Sequence, residues 1–511
     1  MKFLARLLLF VFLSVTVSGL FAQNQSKKVK FRADRLDYDE MLLPGVDRFI
    51  GNVVFTHGEI VGYCDSAYFY QSQNYVEGFG KRIRIHINDS VTLYGQYMTY
   101  DGDAKITTIS REVVLQDANS ALYTDSLTYL IDKEHAYYLS GGRMVSEDNV
   151  LTSRIGNYYT AIDKIVLKDS VKLVNNSYKM DCDSLEYNTQ TEIVTFISRT
   201  HLLSDENTIY TNAGWYDTHF DVAQLIDSVE LFNNTQHLTG DSVYYDKNIR
   251  FGVGRSNIKL VDTEKDYVLT GNYVEHYETG GFSTATDSAM IIIIDGEDSL
   301  YMHADTLKML FDSLQEPQLM LAFNKVKFFR EDMQGACDSL AFHFPDSVMI
   351  MYYNPVLWSA ENQLTADTIM FAMIDSNNIE VYLLKAGFIV SSVFEATEFN
   401  QVKGVNITGY IVNKELTRVD VTGNAECLYY IQEEDSTLIG VNSSATSEMR
   451  IELKDNEVSS ISFYNDPDGT ISPDEIVDDK DRRLKDFRWL IKYRALKPED
   501  IFVNPIERIK D

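Results

Sequence analysis

Apolar and polar residues alternate with period two along most of this chain, in short runs set apart by Asn-, Asp- and Gly-rich clusters, which predicts strand after strand and no long helix. The clearest runs are LYTDSLTY (Leu122 to Tyr129), MDCDSLEY (Met180 to Tyr187), LTGDSVYY (Leu238 to Tyr245), GACDSLAF (Gly335 to Phe342) and LTADTIMF (Leu364 to Phe371). In the best of these, apolar residues precede the central Asp by three and one positions and follow it by two and four. The alternation therefore changes parity at the Asp-Ser pair. A strand that bends or bulges there keeps its apolar side chains on one inner face.

These runs are copies of one repeat. Anchored on the central Asp, the register is Asp34, Asp65, Gln96, Asp125, Arg154, Asp183, Asn212, Asp241, Asn272, Asp305, Asp338 and Asp367, in steps of 29 to 33 residues. The residue before each anchor is small. A ring stands four residues after it, as in Tyr100, Tyr129, Tyr158, Tyr187, Tyr216 and Tyr245, with His276 and Met309 as exceptions. Each period holds two turn clusters and so two strands; the second reads as GNVVF from Gly51, VVLQD from Val113, DSVKLVNN from Asp169 and DSVELFNN from Asp227. Tight polar turns join antiparallel neighbours, which favours one long, bent antiparallel sheet over a parallel β-helix. Its interior is expected to be lined by Leu127, Tyr129, Leu185, Tyr187, Val243, Tyr245, Leu340, Phe342, Ile369 and Phe371. The array spans 23–465, regular over 31–373 and irregular over 374–465.

Composition narrows the function. The net charge of −30 over 511 residues leaves no basic stripe for nucleic-acid phosphates, so nucleic acid is excluded as a partner. Residues 1–22 have the form of a secretory signal, with Lys2 and Arg6 before the apolar stretch Leu7 to Val17 and a cut expected after Ala22. An exported, periplasmic protein is expected, with association to the outer membrane as the alternative.

The remaining constellations carry little chemistry. Cys64, Cys182 and Cys337 occupy the small-residue position of repeats too far apart to pair, at roughly 19 Å or more for strands spaced about 4.8 Å; Cys427 falls outside the register. NDPDGTISPDE from Asn465 resembles a calcium loop but begins on Tyr464 and contains Pro473, so a linker is expected. The Asp column alternates with Gln96, Arg154, Asn212 and Asn272, which suits a hydrogen-bonded corner better than a carboxylate site. No cofactor, metal or nucleophile motif is visible. Beyond residue 466 the chain becomes charged, then basic and aromatic from Arg482 to Arg494, and a short helix is expected there, either capping the open end of the sheet or docking to a membrane partner.

The paired signatures ADRLDYD from Ala33 and LTGDSVYYD from Leu238, with GNVVF from Gly51 and a later Gly423–Asn424, resemble the OstA-like family, which includes LptA and the amino-terminal domain of LptD. The resemblance covers about Phe31 to Leu453. It implies a β-jellyroll trough that shelters the acyl chains of lipopolysaccharide or a related lipid, joined end to end with other jellyrolls of a transport bridge or an outer-membrane barrel. It brings no catalytic residue. Two rival classes remain, a surface stalk or adhesin built on the same repeats and a β-helical polysaccharide enzyme.

Overall fold

The computed structural model describes residues 28–41, 43–205, 207–295, 298–375, 377–393, 397–413, 415–432, 438–454, 457–503 and 505; the expected signal segment lies outside them. The chain divides into two compact units, Met1–Glu192 and Ile193–Asp511. In the first, Val46–His57, Ile60–Tyr70, Tyr75–His86, Thr92–Asp101, Ile106–Gln116 and Ser120–Leu130 pair in chain order, every neighbour antiparallel. The second repeats the pattern through Val222–Phe232, Gln236–Asp246, Phe251–Asp262 and Tyr267–Tyr277. It ends in the long strands Asn378–Val393, Glu398–Val412, Glu415–Gln432 and Leu438–Lys454. This is the all-β, bent antiparallel jellyroll of two-strand repeats that the period implies.

The bend has a defined chemistry, and it differs from the expected one in a single respect. The extra residue belongs to the strand opposite the anchor. Asp125 alone faces Arg111 and Glu112, the ladder stepping from Ser110↔Ser126 to Val113↔Thr124. The extra pair is left-handed in repeat after repeat: Arg111–Glu112, Asp169–Ser170, Asp227–Ser228, Ser256–Asn257, Asn324–Lys325 and Lys385–Ala386. Two consecutive left-handed residues turn the strand sharply, and Asp, Asn and Gly tolerate that conformation best. Gly51–Asn52 and Gly423–Asn424 thus sit at bends inside strands, where the sequence suggested a strand beginning. Gly51 has φ +78°, and a Cβ there would lie 2.6 Å from Asp34 Oδ2. The anchors serve the corner: Asn52 donates to Asp34 at 2.8 Å, Asn257 to Asp241 at 2.7 Å and Asn212 to Asp227 at 3.3 Å.

The carboxy-terminal expectations are corrected. The supposed linker contains a strand, Asp468–Ser472, paired with Val441–Ala445. Asn465 and Asp466, both left-handed, make the turn that precedes it. The expected helix is instead an extended strap broken by the 3-10 turns Asp474–Ile476, Asp479–Asp481, Ile491–Tyr493 and Pro498–Phe502. Pro473 and Pro498 and the strap's hydrogen bonds to the sheet leave no run free to wind into an α-helix. The strap lies across the convex face of the second unit, not over its open end. All four cysteines are free thiols, and Cys427 joins the interior cluster of the second unit.

Candidate functional site

Each long strand contributes two arms to the concave face, one on either side of its bend, and short strands such as Asn149–Ser153 and Ile155–Tyr159 contribute one each. In the first unit one arm presents an aliphatic row, Leu93, Leu115, Leu122, Met144, Leu151, Leu173 and Met180, each opposite the next across the ladder. The other presents Tyr100, Thr107, Tyr129, Ala136, Tyr158, Ile165 and Tyr187 in the same manner. Every member of both rows is 4% exposed or less. The arms meet: Phe55 and Tyr100 from opposite arms stack with centroids 5.8 Å apart.

Polar contacts fasten the mouth of this fold. The repeat rings end in hydroxyls that reach the hairpin tips of the facing arm. Tyr100 Oη lies 2.6 Å from His57 Nδ1, Tyr158 Oη donates to Asp117, and Asn149 Nδ2 donates to Tyr187 Oη at 3.5 Å. Burial pushes the Tyr100 and Tyr158 phenols well above their ordinary range, and for Tyr158 the Asp117 carboxylate adds to the effect. They remain protonated donors. Each latch satisfies a polar group that would otherwise be stranded at an apolar rim.

The second unit keeps the rows and changes their filling. Its aliphatic row runs Leu202, Ile209, Leu231, Leu238, Leu260, Leu269, Ile291, Met302 and Phe328. The first six are only half-buried, whereas Ile291, Met302 and Phe328 are 3% exposed or less. The opposing row explains the gradient. It reads Tyr216, Ala223, Tyr245, Gly252, His276 and Ser283, then Met309, Met320, Phe342, Met349 and Phe371. Where Ala, Gly and Ser stand, the aliphatic row has little to pack on; where Met and Phe follow, the interior fills. Tyr216 turns its hydroxyl to Asp221 on its own arm, at 2.6 Å. We read these half-buried rows over residues 200–286 as an apolar cleft whose leucines keep part of their surface in solvent. Its chemistry suits an unbranched hydrocarbon chain.

The ten predicted interior residues separate accordingly. Leu127, Tyr129, Leu185, Tyr187, Leu340 and Ile369 are 1% exposed or less, Phe371 is 6% and Val243 8%, and Phe342 is half-buried against the interior cluster. Tyr245 departs from the expectation at 40% exposure. Its cross-strand neighbours are Ala223 and Gly252, too small to cover a ring. Sequence reading fixed the phase of these positions but missed the cleft, because the gap depends on which small residues the second strand sets beside each ring. The signal was present in Ala223, Gly252 and Ser283, none of which belongs to the repeat motif. Cations flanking the cleft are matched by carboxylates, Arg199 by Glu230 at 3.2 Å and Arg250 by Glu278 at 2.9 Å.

The family model described as OstA-like protein matches residues 26–183 and 179–272. No curated protein matches the chain. Among solved structures, the chain is similar to LptH of Pseudomonas aeruginosa, the LptA-homologous periplasmic component of the lipopolysaccharide transport device. That likeness is 18% identity over 33% of this chain and 83% of LptH, with a TM-score of 0.12.

Proposed function

With residues 26–272 matching the OstA-like family, we propose that this protein is a non-enzymatic lipid-transport factor of the periplasm, sheltering acyl chains of lipopolysaccharide or a related lipid. The half-burial of the aliphatic row is the observation that carries the reading. Six half-buried aliphatic side chains in one ladder face a row in which Ala223, Gly252 and Ser283 alternate with Tyr216, Tyr245 and His276, so a hydrocarbon chain laid between them would bury surface on both sides, at about 25 cal/mol per Å². Affinity comes from that burial. The protein's charge of −30 opposes an anionic lipid, and Arg199 and Arg250 are already paired with Glu230 and Glu278.

The closed first unit favours a second reading, a structural stalk whose interior is packed solid. Binding separates the two. Purified protein is titrated with fluorescent lipopolysaccharide and competed with unlabelled lipopolysaccharide or with its deacylated core. A transport factor binds saturably and is displaced only by the acylated competitor. Absence of saturable binding supports the stalk.

A further inference from the structure

The strap from Arg482 to Val503 carries seven cations and three carboxylates in a chain whose net charge is −30. Its inward side is used up by the fold. Leu484, Phe487 and Trp489 pack on Phe388, Val390 and Phe399, and Leu490 and Tyr493 on Ala336, Val356 and Trp358. Buried glutamines on the sheet hold its backbone. Gln401 accepts from the Leu484 N–H at 2.8 Å and donates to the Arg482 carbonyl at 2.9 Å. Gln363 does the same for Leu490 and Arg488, at 2.6 and 2.7 Å. Gln363 and Gln401 both flank Val390 across the ladder, so the strap crosses two strands for every six residues. Lys327 ends the line by donating to the carbonyls of Asp500 and Val503, at 3.0 and 2.7 Å.

Three cations also turn inward. Arg482 and Arg483 pair with Asp474 and Glu398, and Arg494 donates to Gln334 and to the Ala360 carbonyl. That leaves Lys485, Arg488, Lys492 and Lys497 exposed. Among them stand Ile491 at 40% and Leu496 at 76% exposure, and just beyond them Phe502 at 46% and Val503 at 51%. Of the strap's three carboxylates, Asp486 is held by Lys403 at 3.0 Å, Asp500 accepts from the Leu496 N–H at 2.9 Å, and Glu499 is exposed near Lys497. An acidic stretch from Asp474 to Asp481 precedes the stripe and bounds it on one side.

We infer that the outward face of the strap, from Lys485 to Val503, docks the protein on an anionic phospholipid surface. Three of the four exposed cations are lysines, point charges suited to a diffuse negative field and not to a geometrically defined anion. The exposed apolar side chains between them suit the headgroup boundary. Because the rest of the chain is acidic and repelled by such a surface, the stripe also sets the orientation, with the convex face of the second unit toward the membrane.

Flotation with vesicles tests this. The protein is mixed with vesicles of phosphatidylcholine alone or of phosphatidylcholine with phosphatidylglycerol, which share the same acyl chains, so uptake into the interior does not distinguish them. Binding is expected only with phosphatidylglycerol, weakening as salt rises. The variant K485E/R488E/K492E/K497E is expected to lose about tenfold or more of that binding. K105Q/K133Q, which alters two cations of the first unit, is expected to bind as the parent does. Matching thermal melts establish that the variants fold. Failure of the parent to float with phosphatidylglycerol, or equal flotation of the fourfold variant, overturns the inference. If the parent instead binds only an acidic protein surface, such as immobilised copies of this chain, the lipid surface is the wrong partner.

Discussion

Tyr100 Oη and His57 Nδ1 are 2.6 Å apart although 43 residues separate them in the chain. The contact joins the end of one arm to the hairpin tip of the other. Both side chains are buried, His57 at 7% and Tyr100 at 1% exposure, so the bond closes the interior at its mouth where water would otherwise enter.

Tyr100→Phe removes that closure and keeps the ring. The loss is expected to cost about 1–3 kcal/mol, because a buried imidazole nitrogen loses a partner. Hydrogen exchange should quicken in Val53–His57 and Thr92–Asp101. Unchanged exchange in both segments would show that the latch does not hold the arms together.

Gly252→Val fills the cleft from the other side. A Cβ at Gly252 would meet only Tyr245 Cδ2 at 3.6 Å and the Tyr244 carbonyl at 3.8 Å, ordinary contacts. The variant should fold, gain up to about 1 kcal/mol from replacing a strand glycine, and bind lipopolysaccharide more weakly. Gly62→Val is the contrast: its Cβ would lie 1.9 Å from the Phe55 ring, and it should destabilise the first unit. Stronger lipid binding by Gly252→Val would remove the cleft from consideration.

Deleting residues 473–511 uncovers an apolar face and not a strand edge. Trp358, Phe388, Val390, Phe399 and Leu428, all buried at 5% exposure or less, would lose part of their cover. Self-association through that face is expected, seen as increased mass by light scattering. Gln401→Ala, which removes one anchor, should cost about 1–3 kcal/mol without oligomerising the protein. A truncated protein that stays monomeric and as stable as the parent would contradict this role for the strap.

Acidification should weaken the second unit. Burial holds His276 and His303 below their ordinary value of 6.5, partly offset for His303 by its hydrogen bond to the Ala289 carbonyl. As the pH falls through 6.5 the unfolded chain takes up protons that the folded chain resists. The stability these histidines confer is therefore present above 6.5 and lost below it. Urea midpoints at about pH 7.5 and about pH 5.5 measure the change, and His303→Phe should flatten it. A midpoint that rises on acidification would reverse the sign.

The period of the repeat, the antiparallel pairing and the inward phase of Leu127, Tyr129, Leu185 and Tyr187 were legible because each repeat writes the same alternation into its own residues. The side of the bulge was not. Asp125–Ser126 and Asp169–Ser170 look alike in sequence, and only the ladder shows that the second pair is left-handed while Asp125 faces a pair on its partner strand. The strap was misread for a related reason. Its spacing of Arg482-x-Leu484 and Arg488-x-Leu490 matches glutamines on alternate strands of a distant part of the sheet, a pattern that no local helical period reports.

Site-specific photocrosslinking in living cells, followed by blotting for lipopolysaccharide, tests lipid transport through the cleft most directly. A photoreactive phenylalanine analogue at Leu238 or Leu260 should yield a lipopolysaccharide adduct, whereas the same probe at exposed Lys259, on the opposite face of the same strand, should not. Adducts absent from Leu238 and Leu260, or equally strong from Lys259, would contradict a lipid path along the interior of this sheet.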